Sequence, residues 1–449
     1  MIKEAITRRS FLKKTTGITA GVIGFPYFVS SPALGKAGTI APSNRITLGC
    51  IGVGSHGTGV NLRNFLGNSD AQVVAVCDVD SRHLERAQEI VNKHYANSKT
   101  SDIYKGCAVY KDFREVIARS DIDAVVISTP DHWHALISVL AAKAGKDVFC
   151  EKPTLTIHEG RVVSDTIKRY NRVFQTASEN RSIYVYHRMC ELVCNGRIGK
   201  LHTIRVGLPS GPHRAGDPTP MSVPKELDYD MWLGPAPWTP YTKDRLPYDW
   251  RWILDYSGGH LTDWGAHLVN IAQWANETDH TGPVTVEGKG EFGKKGLYNT
   301  ATKYHIEYEY ANGVKLVISS GTPSIRFEGT EGWVGNSGWE APLQAEPKSI
   351  LDSTIGPNEI HLYTCRGGEQ RNFLDCVKSR KPCYYPAESG HRTFTITHIG
   401  NISMMLGRKL RWDPDTERFI PPLPQGPGFI NDEQANRMLS RSMRSPWHL

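Results

Sequence analysis

The sequence predicts an α/β fold that begins with a doubly wound parallel sheet. Two observations support this prediction. From Asn44 onward, apolar runs of strand length alternate regularly with helical runs, and the first of these strands leads directly into a glycine turn. Parallel strands covered by helices on both faces are continuously apolar, and alternation of strands with helices is typical of βαβ units. The rest of the chain is long enough for a second domain with its own core.

The first strand and its glycine turn have the pattern of a dinucleotide-binding site. Gly52, Gly54 and Gly57 are spaced G-x-G-x-x-G, and a helical run follows them. The first glycine permits a tight turn, the second lets the backbone approach a pyrophosphate, and the third lets helix and strand pack closely. Unpaired N–H groups at the start of the helix, which includes Ser55 and His56, are expected to bind the pyrophosphate.

The acidic residue after the second strand indicates which dinucleotide is bound. The apolar run 72–77 ends at Asp78, which lies 21 positions after Gly57. An Asp at this place accepts hydrogen bonds from the adenosine ribose hydroxyls and repels a 2′-phosphate. The sequence therefore predicts NAD(H) as the cofactor. Arg82 lies nearby and could accommodate that phosphate, so NADP(H) stays open as the alternative.

Two later strands end on the same rim as the glycine turn. In a doubly wound sheet the ligand binds outside the carboxyl ends of the strands, so residues at these ends are expected to contact the cofactor. They are Thr129, Pro130, Glu151 and Lys152. His132 and His134 follow the first of these strand ends. They either reach the nicotinamide pocket or only begin the next helix.

These motifs together resemble those of the Gfo/Idh/MocA oxidoreductases. The glycine turn, Asp78, the segment 129–134 and the Glu-Lys-Pro sequence at 151–153 carry the resemblance. It implies an N-terminal Rossmann domain and a C-terminal α/β domain with a large, mostly antiparallel open sheet. In the family this sheet often serves as an oligomer interface, so a homo-oligomer is expected. The resemblance also implies that Lys152 approaches both the nicotinamide ribose and the substrate hydroxyl.

The domain boundaries follow from the motifs and the resemblance. We place a NAD-binding Rossmann domain at 44–170. A C-terminal domain for substrate binding and oligomerisation then covers 171–449, and its last helices are expected to pack back on the first domain.

The predicted catalytic pair lies in the second half of the chain. Asp263 and His267 are four residues apart on a helix that follows two glycines, so they share one face. They resemble the family's Asp-x-x-x-His pair, in which the His is the general base. Oxidation of a secondary alcohol removes a hydroxyl proton, which a neutral imidazole can accept, while an ammonium group stabilises the developing alkoxide. Lys152, His267 and Asp263 are therefore the predicted catalytic residues, with Asp263 orienting His267.

The predicted substrate contacts come from the polar turn after the Glu-Lys-Pro strand and from the region around the catalytic pair. They are Glu179, Asn180, Arg181, Trp252, His260 and Asn270. Aromatic residues between 208 and 252 suit either stacking on sugar rings or core packing. A metal site built from Glu179, His260, Asp263 and His267 is an alternative use of the same residues. Because their spacing gives no tight ligand cluster, no metal is predicted.

The N-terminus is predicted to be an export signal. Arg8 and Arg9 precede a moderately apolar run and a small-residue region, which together indicate a twin-arginine signal peptide at 1–37, cleaved between Ala33 and Gly38. The sequence thus predicts a periplasmic protein that interacts with the twin-arginine translocase during export and has no stable membrane anchor. The signal carries +5 of the net charge of +7, and the nearly neutral remainder does not indicate nucleic-acid binding.

The nine cysteines show no C-x-x-C metal pattern and no disulfide framework. Cys190 and Cys194 are the one pair that would share a helix face, where a disulfide would close no useful loop.

The predicted function is NAD(H)-dependent oxidation of a secondary hydroxyl on a sugar or glycoside. Outside the cytoplasm no soluble NAD pool reoxidises NADH, so a cofactor exported inside the folded protein should stay bound and be recycled. One route couples oxidation of one sugar to reduction of another. A second is a redox-neutral glycosidase, in which oxidation at C3 acidifies the C2 proton, elimination breaks the glycosidic bond, water adds, and the ketone is reduced. A non-catalytic exported sugar-binding protein is the third alternative.

Overall fold

The computed structural model describes residues 44–96, 104, 106–421 and 432–449. The predicted export signal at 1–37 lies outside these residues. Residues 45–449 form one compact unit. Within the described ranges, no helix has the length and apolar character that crossing a bilayer requires.

The N-terminal part contains the predicted parallel sheet, which has six strands in the order β3-β2-β1-β4-β5-β6. Every residue of β4 and β5 is buried, because helices cover both faces of the sheet. The strand order reverses between β1 and β4, the place where such sheets bind their ligands. The strands are β1 Ile46–Ile51, β2 Ala71–Cys77, β3 Ala108–Tyr110, β4 Ala124–Ile127, β5 Asp147–Cys150 and β6 Phe174–Thr176.

The helices of this part start with local caps or with the glycine turn. Asp112 accepts a hydrogen bond from the Arg114 N–H, and Thr156 accepts one from the Glu159 N–H, as N-caps do. A π-helical turn, Gly57–Leu62, follows the glycine turn and continues into the first α-helix. The α-helices are α1 Arg63–Leu66, α2 Ser81–Ala96, α3 Phe113–Ala118, α4 Asp131–Lys143 and α5 Ile157–Arg169.

The C-terminal part contains a nine-stranded sheet in the order β13-β12-β11-β7-β10-β9-β8-β14-β15. All neighbouring strands are antiparallel except β7 and β10, so the predicted mostly antiparallel sheet is confirmed. Its strands are β7 Leu201–Leu208, β8 Pro283–Phe292, β9 Ala301–Tyr310, β10 Lys315–Ser320, β11 Ser324–Gly329, β12 Gly332–Gly335, β13 Gln344–Glu346, β14 Leu410–Asp413 and β15 Arg418–Ile420.

One face of this sheet is apolar and the other is polar. Along β9, buried Ile306 and Tyr308 alternate with exposed His305 and Glu307, the period of two expected when one face packs on a core. Helices cover the apolar face, chiefly α6, α9 and α12. The helices are α6 Tyr184–Cys194, α7 Tyr229–Leu233, α8 His260–Asp263, α9 Gly265–Ala275, α10 Ser349–Asp352, α11 Gly368–Ser379, α12 Ala387–Leu406 and α13 Glu433–Asn436, with 3₁₀ turns at Glu179–Ser182, Lys243–Arg245, Asp249–Trp252 and Arg437–Leu439.

Helix α11 packs on the parallel sheet although it lies far along the chain. The ring of Phe373 lies 5.8 Å from that of Phe149 on β5 and 6.2 Å from that of Phe65 on α1, with edge-to-face geometry. Arg371 forms an ion pair with Asp70 at 2.7 Å beside this aromatic cluster. At the start of α11, Gln370 Nε2 donates to Asn61 Oδ1 at 3.3 Å, in the helical turn that follows the glycine turn.

The nine cysteines are free thiols. The Cys190 and Cys194 thiols, which share a helix face as predicted, each donate to a backbone carbonyl of α9, those of Ile271 and Ala275.

We predict that Phe149→Ala lowers the free energy of unfolding by about 3–5 kcal/mol, because it leaves a cavity between β5 and α11. Urea denaturation followed by far-UV circular dichroism measures this loss. Val109→Ala, at an exposed position of β3, is the matched control and should change stability by less than about 0.5 kcal/mol. Equal losses in the two variants would contradict the packing described here.

Candidate active site

A cavity of about 1230 Å³ lies at the carboxyl ends of the parallel strands. It extends from the glycine turn to α8 and α9 of the C-terminal part. Most of the predicted cofactor and catalytic residues line it, together with one predicted substrate residue. These are Gly52, Gly54, Ser55, His56, Gly57, Asp78, Thr129, Pro130, His134, Glu151, Lys152, Glu179, Asp263 and His267.

The glycine turn has the geometry that a pyrophosphate requires. Gly52 has φ +82°, which favours glycine, and a Cβ there would lie 2.7 Å from the backbone of Ser128. A Cβ on Gly57 would lie 2.0 Å from the Gly52 carbonyl oxygen, so only glycine lets the helix pack on the strand. A Cβ on Gly54 would meet no protein atom closer than 3.6 Å. The protein itself thus leaves Gly54 unconstrained, as expected where a ligand must approach the backbone.

The adenosine end of the cavity favours NAD over NADP. The Asp78 carboxylate accepts hydrogen bonds from the N–H groups of Val53 at 2.8 Å and Asp80 at 2.9 Å, which hold it beside the glycine turn. Arg82, the residue that left NADP open, is paired with Asp80 at 2.7 Å. The charge of Arg82 is therefore already paired with a carboxylate, and this favours NAD over NADP.

A second acidic group lies beside the start of the first helix. Glu151 accepts hydrogen bonds from Asn61 Nδ2 at 2.8 Å and from His56 Nε2 at 2.9 Å. Burial opposes ionisation of Glu151, but the hydrogen bond and charge of His56 lower its pKa to about 2. The same hydrogen bond raises the pKa of His56. The raised pKa favours the protonated ring, and positive charge beside the helix start suits an anionic pyrophosphate.

Lys152 and Asp263 form an ion pair across the cavity wall. Lys152 Nζ donates to Asp263 Oδ1 at 2.5 Å and to the Asp263 carbonyl oxygen at 3.0 Å. Arg251 Nε lies 3.4 Å from the other carboxylate oxygen. Burial opposes both charges, but Lys152 and Arg251 hold the pKa of Asp263 well below its usual range, and Asp263 raises the pKa of Lys152. Both groups are therefore ionised at neutral pH.

His267 is a neutral base that lies beside this pair. Burial and the charge of Lys152 lower its pKa to about 4. Its Nδ1 lies 2.9 Å from Ser178 Oγ and 3.9 Å from Glu179 Oε2. The predicted role of Asp263 is therefore corrected: its carboxylate pairs with Lys152, and Ser178 orients the imidazole. Asp263 and His267 still interact by charge, which favours the ionised carboxylate and the protonated ring.

Two buried carboxyl groups on the cavity were not predicted. Asp131 opens α4 directly after Pro130, and burial together with the charge of Asp263 raises its pKa to about 8. Glu369 lies in the first turn of α11, where burial and the charge of Glu179 raise its pKa to about 8. Asp131 could have been found from its place at a strand end. Glu369 could not, because only the packing of α11 brings it there.

Six predicted contacts do not line the cavity, and their part in binding stays a prediction. They are His132, Asn180, Arg181, Trp252, His260 and Asn270. Arg181 is buried, donates to Asn270 Oδ1 at 2.7 Å and Asp279 Oδ1 at 2.7 Å, and packs against the ring of Trp274. The polar groups of Arg181 and Asn270 are thus used to join α9 to the turn that follows β6. Asn180 is fully buried in the same turn.

His132, His260 and Trp252 also have structural partners. His132 Nε2 lies 3.0 Å from the Trp232 carbonyl oxygen, and burial lowers the pKa of His132 to about 3. His260 Nδ1 lies 2.6 Å from the Ser210 carbonyl oxygen, and its ring packs edge-to-face on Trp252 at 4.4 Å. Trp252 belongs to a separate aromatic core formed largely by the region 229–256. Trp232, Tyr241, Tyr248 and Trp250 of this region also line the cavity, so both stacking on a sugar and core packing stay open for these aromatic residues.

His134 lines the cavity, yet both its ring nitrogens face protein carbonyl oxygens. Nε2 lies 2.7 Å from the Thr129 oxygen and Nδ1 2.7 Å from the Pro153 oxygen. It therefore holds two strand ends together. Among the residues that the structure describes, no group of three His, Cys, Asp or Glu side chains is arranged for a metal ion. Of the residues in the alternative metal site, Asp263 is paired with Lys152, and His260 Nδ1 lies 2.6 Å from the Ser210 carbonyl oxygen.

Two family matches cover most of the chain. Residues 46–178 match the Gfo/Idh/MocA oxidoreductase family as its NAD-binding Rossmann fold. Residues 215–449, more than half of the chain, match the family's C-terminal alpha/beta domain. The chain belongs to the Gfo/Idh/MocA oxidoreductase family. Its N-terminal domain is accordingly a NAD-binding Rossmann domain, in agreement with the glycine turn and Asp78 described above.

The chain is also similar to curated relatives over part of its length. It is 35% identical over 176 residues to a glycosyl hydrolase family 109 protein of Shewanella baltica (strain OS185), which covers 36% of this chain and 37% of the relative. It is 33% identical, with the same coverage, to glycosyl hydrolase family 109 protein 1 of Shewanella sp. (strain ANA-3). The chain therefore matches little more than a third of the length of these relatives.

Solved structures share the fold over most of the chain. The WlbA dehydrogenase from Chromobacterium violaceum, in complex with NADH and UDP-GlcNAcA, has a TM-score of 0.61 at 16% identity and covers 84% of this chain and 98% of its own. GenD2 from gentamicin A biosynthesis, in complex with NAD, has a TM-score of 0.59 at 17% identity and covers 82% and 97%. At these identities the likeness establishes the fold alone.

We predict that Gly57→Ala lowers NAD⁺ affinity by about tenfold or more, because the new Cβ forces the turn open. Gly59→Ala is the matched control two residues along the same helical turn, where a Cβ would meet no atom within 4 Å. Bound NAD per chain after desalting, and NAD⁺ titration by calorimetry, measure the effect. Unchanged binding in Gly57→Ala would contradict the assignment of this turn.

Proposed function

We propose that the protein is a NAD-dependent oxidoreductase acting on a secondary hydroxyl of a sugar or glycoside. The observation that carries the proposal is the pairing of a fixed ammonium group with a neutral imidazole on one cavity. Lys152 and His267 both line the cavity that begins at the NAD-binding glycine turn. An ionised Lys and an unprotonated His are the two states that alcohol oxidation requires.

The chain's own residues account for the proton and the developing charge. Bound NAD⁺ supplies the hydride acceptor. Lys152 donates a hydrogen bond to the substrate oxygen and stabilises it as the hydroxyl proton leaves. We assign His267 the tautomer in which Nδ1–H donates to Ser178 Oγ, so Nε2 is unprotonated and accepts this proton. Asp263 keeps Lys152 charged and fixes the position of its ammonium group.

The reaction either oxidises the substrate with net formation of NADH, or reoxidises the NADH within the same catalytic cycle. The relatives named glycosyl hydrolase family 109 support a redox-neutral glycosidase as the second candidate. In that sequence C3 of the sugar is oxidised, the C2 proton is lost, the glycosidic bond breaks by elimination, water adds and the ketone is reduced. Glu179, 3.9 Å from His267, lies near enough to take part in the further proton transfers.

The twin-arginine signature supports a cofactor that stays bound. We infer that the protein is exported folded through the twin-arginine translocase, loses residues 1–37 and works in the periplasm. There NAD has to be recycled on the enzyme, because no soluble pool reoxidises it. We also propose that the chain forms a homo-oligomer.

We predict that aryl glycosides release their aglycone without net NADH if the enzyme is a redox-neutral glycosidase, whereas a dehydrogenase accumulates NADH. Lys152→Met should lower kcat/KM by about 10²–10³ in either case. Lys143→Met, an exposed lysine at the end of α4, is the matched control and should keep full activity. The proposal fails if neither aglycone nor NADH appears with any sugar of a broad panel.

We predict that kcat/KM falls on acidification only near pH 4, the pKa to which burial and Lys152 lower that of His267. The base works in its neutral form, so activity is retained above this pKa and lost below it. Initial rates between about pH 3.5 and 7 give the profile. His267→Ala should abolish this acid limb along with most of the activity, whereas His158→Ala, at an exposed site on α5, should leave it unchanged. An acid limb near pH 6.5 would show that His267 has an unperturbed pKa.

A further inference from the structure

A segment of the C-terminal half crosses the adenosine end of the NAD groove. Residues 224–232, here called the strap, pair with the backbone that directly follows Asp78. Leu227 forms an antiparallel bridge with Asp80. The Ser81 N–H donates to the Glu226 oxygen at 3.0 Å, and the Asp228 N–H donates to the Val79 oxygen at 2.9 Å. The strap is thus attached to the Rossmann domain beside the residue that selects NAD.

The strap supplies side chains to the same cavity as the glycine turn. Leu227 and Met231 of the strap line it, and so do Val79, His83 and Phe113 of the Rossmann domain. The wall around Asp78 therefore comes from both halves of the chain, and Val79, Phe113, Leu227 and Met231 give it an apolar part. An adenine ring is a flat aromatic ligand, and apolar groups on both sides are what bind such a ring.

The far end of the strap is anchored to α4. The Trp232 carbonyl oxygen accepts a hydrogen bond from Trp133 Nε1 at 3.0 Å and lies 3.0 Å from His132 Nε2. Asp228 caps α7 by accepting from the Met231 N–H at 3.0 Å. The strap consequently has backbone attachments to the Rossmann domain on both sides of Leu227.

The C-terminal tail, residues 441–449, holds the strap from outside. Arg444 donates to Asp230 Oδ1 at 2.5 Å, to the Asp230 carbonyl oxygen at 2.9 Å and to the Gly234 carbonyl oxygen at 2.9 Å. Trp447 packs edge-to-face on Trp133 at 4.9 Å. None of these tail residues lines the cavity. The tail therefore braces the strap without contacting the cofactor groove.

We propose that the strap encloses the adenosine half of NAD, and that Arg444 and the tail set how slowly NAD leaves. The inference deepens the retained-cofactor part of the proposed function and is independent of the reaction catalysed. NAD release then requires the strap to detach from Val79–Ser81, so the dissociation rate responds to residues that never touch the cofactor.

Exchange of bound radiolabelled NAD⁺ against excess unlabelled NAD⁺, followed by desalting, measures this rate. Arg444→Ala should accelerate the exchange by about tenfold or more, and so should the double variant Leu227→Ala with Met231→Ala. Arg437→Ala removes an exposed arginine of the same C-terminal region, whose ion-pair partner among the described residues is Glu433 at 3.5 Å, and should exchange like wild type.

A second probe separates enclosure of adenosine from a general loss of structure. Nicotinamide mononucleotide lacks the adenosine half, so its affinity, measured by calorimetry, should be the same in Arg444→Ala and wild type. Equal exchange rates in Arg444→Ala and Arg437→Ala, or equal effects on NAD⁺ and the mononucleotide, would overturn the inference. The NAD⁺ exchange rate does not depend on whether sugars are oxidised or cleaved. If the activity assays fail, the exchange experiment still tests the role of the strap.

Discussion

The ion pair between Lys152 and Asp263 is the interaction on which the site depends. It joins the end of β5 in the Rossmann domain to the end of α8 in the C-terminal part, and both side chains are largely buried. Burying two charges is costly unless each has a partner with good geometry, and here the carboxylate receives both Lys152 and Arg251. The pair keeps Lys152 cationic, and that charge helps to keep His267 neutral. This contact thus joins the two domains beside the cavity and contributes to the protonation states of the two proposed catalytic groups.

The charges around the cavity divide into two groups with different roles. Glu151 and Asp263 are ionised because each has a cationic neighbour, and they hold His56 and Lys152 in position. Asp131 and Glu369 are buried beside other carboxylates, and their pKa values are raised to about 8. These two carboxyl groups are neutral at pH 7 and can donate hydrogen bonds. The cavity therefore combines fixed charges near the glycine turn and Lys152 with neutral donors at its margins.

The parts of this site that follow from local sequence were predictable, and those that depend on tertiary packing were not. The glycine turn, Asp78 and Lys152 lie at the ends of parallel strands, so the topology itself brings them to one rim. Residues in turns behaved differently. Arg181 follows Glu179 by two positions, yet Glu179 lines the cavity while buried Arg181 donates to Asn270 of α9 and to the Tyr384 carbonyl oxygen just before α12. Only the packing of the surrounding helices decides this.

In the proposed reaction, a sugar hydroxyl is oxidised by NAD held in this cavity. Rapid mixing of the purified, NAD-loaded protein with a sugar substrate, with no free NAD⁺ present, tests it by absorbance at the NADH band. We expect a transient absorbance signal from bound NADH. It should form more slowly when the substrate is deuterated at the reacting carbon, and it should not form in Lys152→Met. Turnover of the sugar with no transient and no deuterium effect would contradict it.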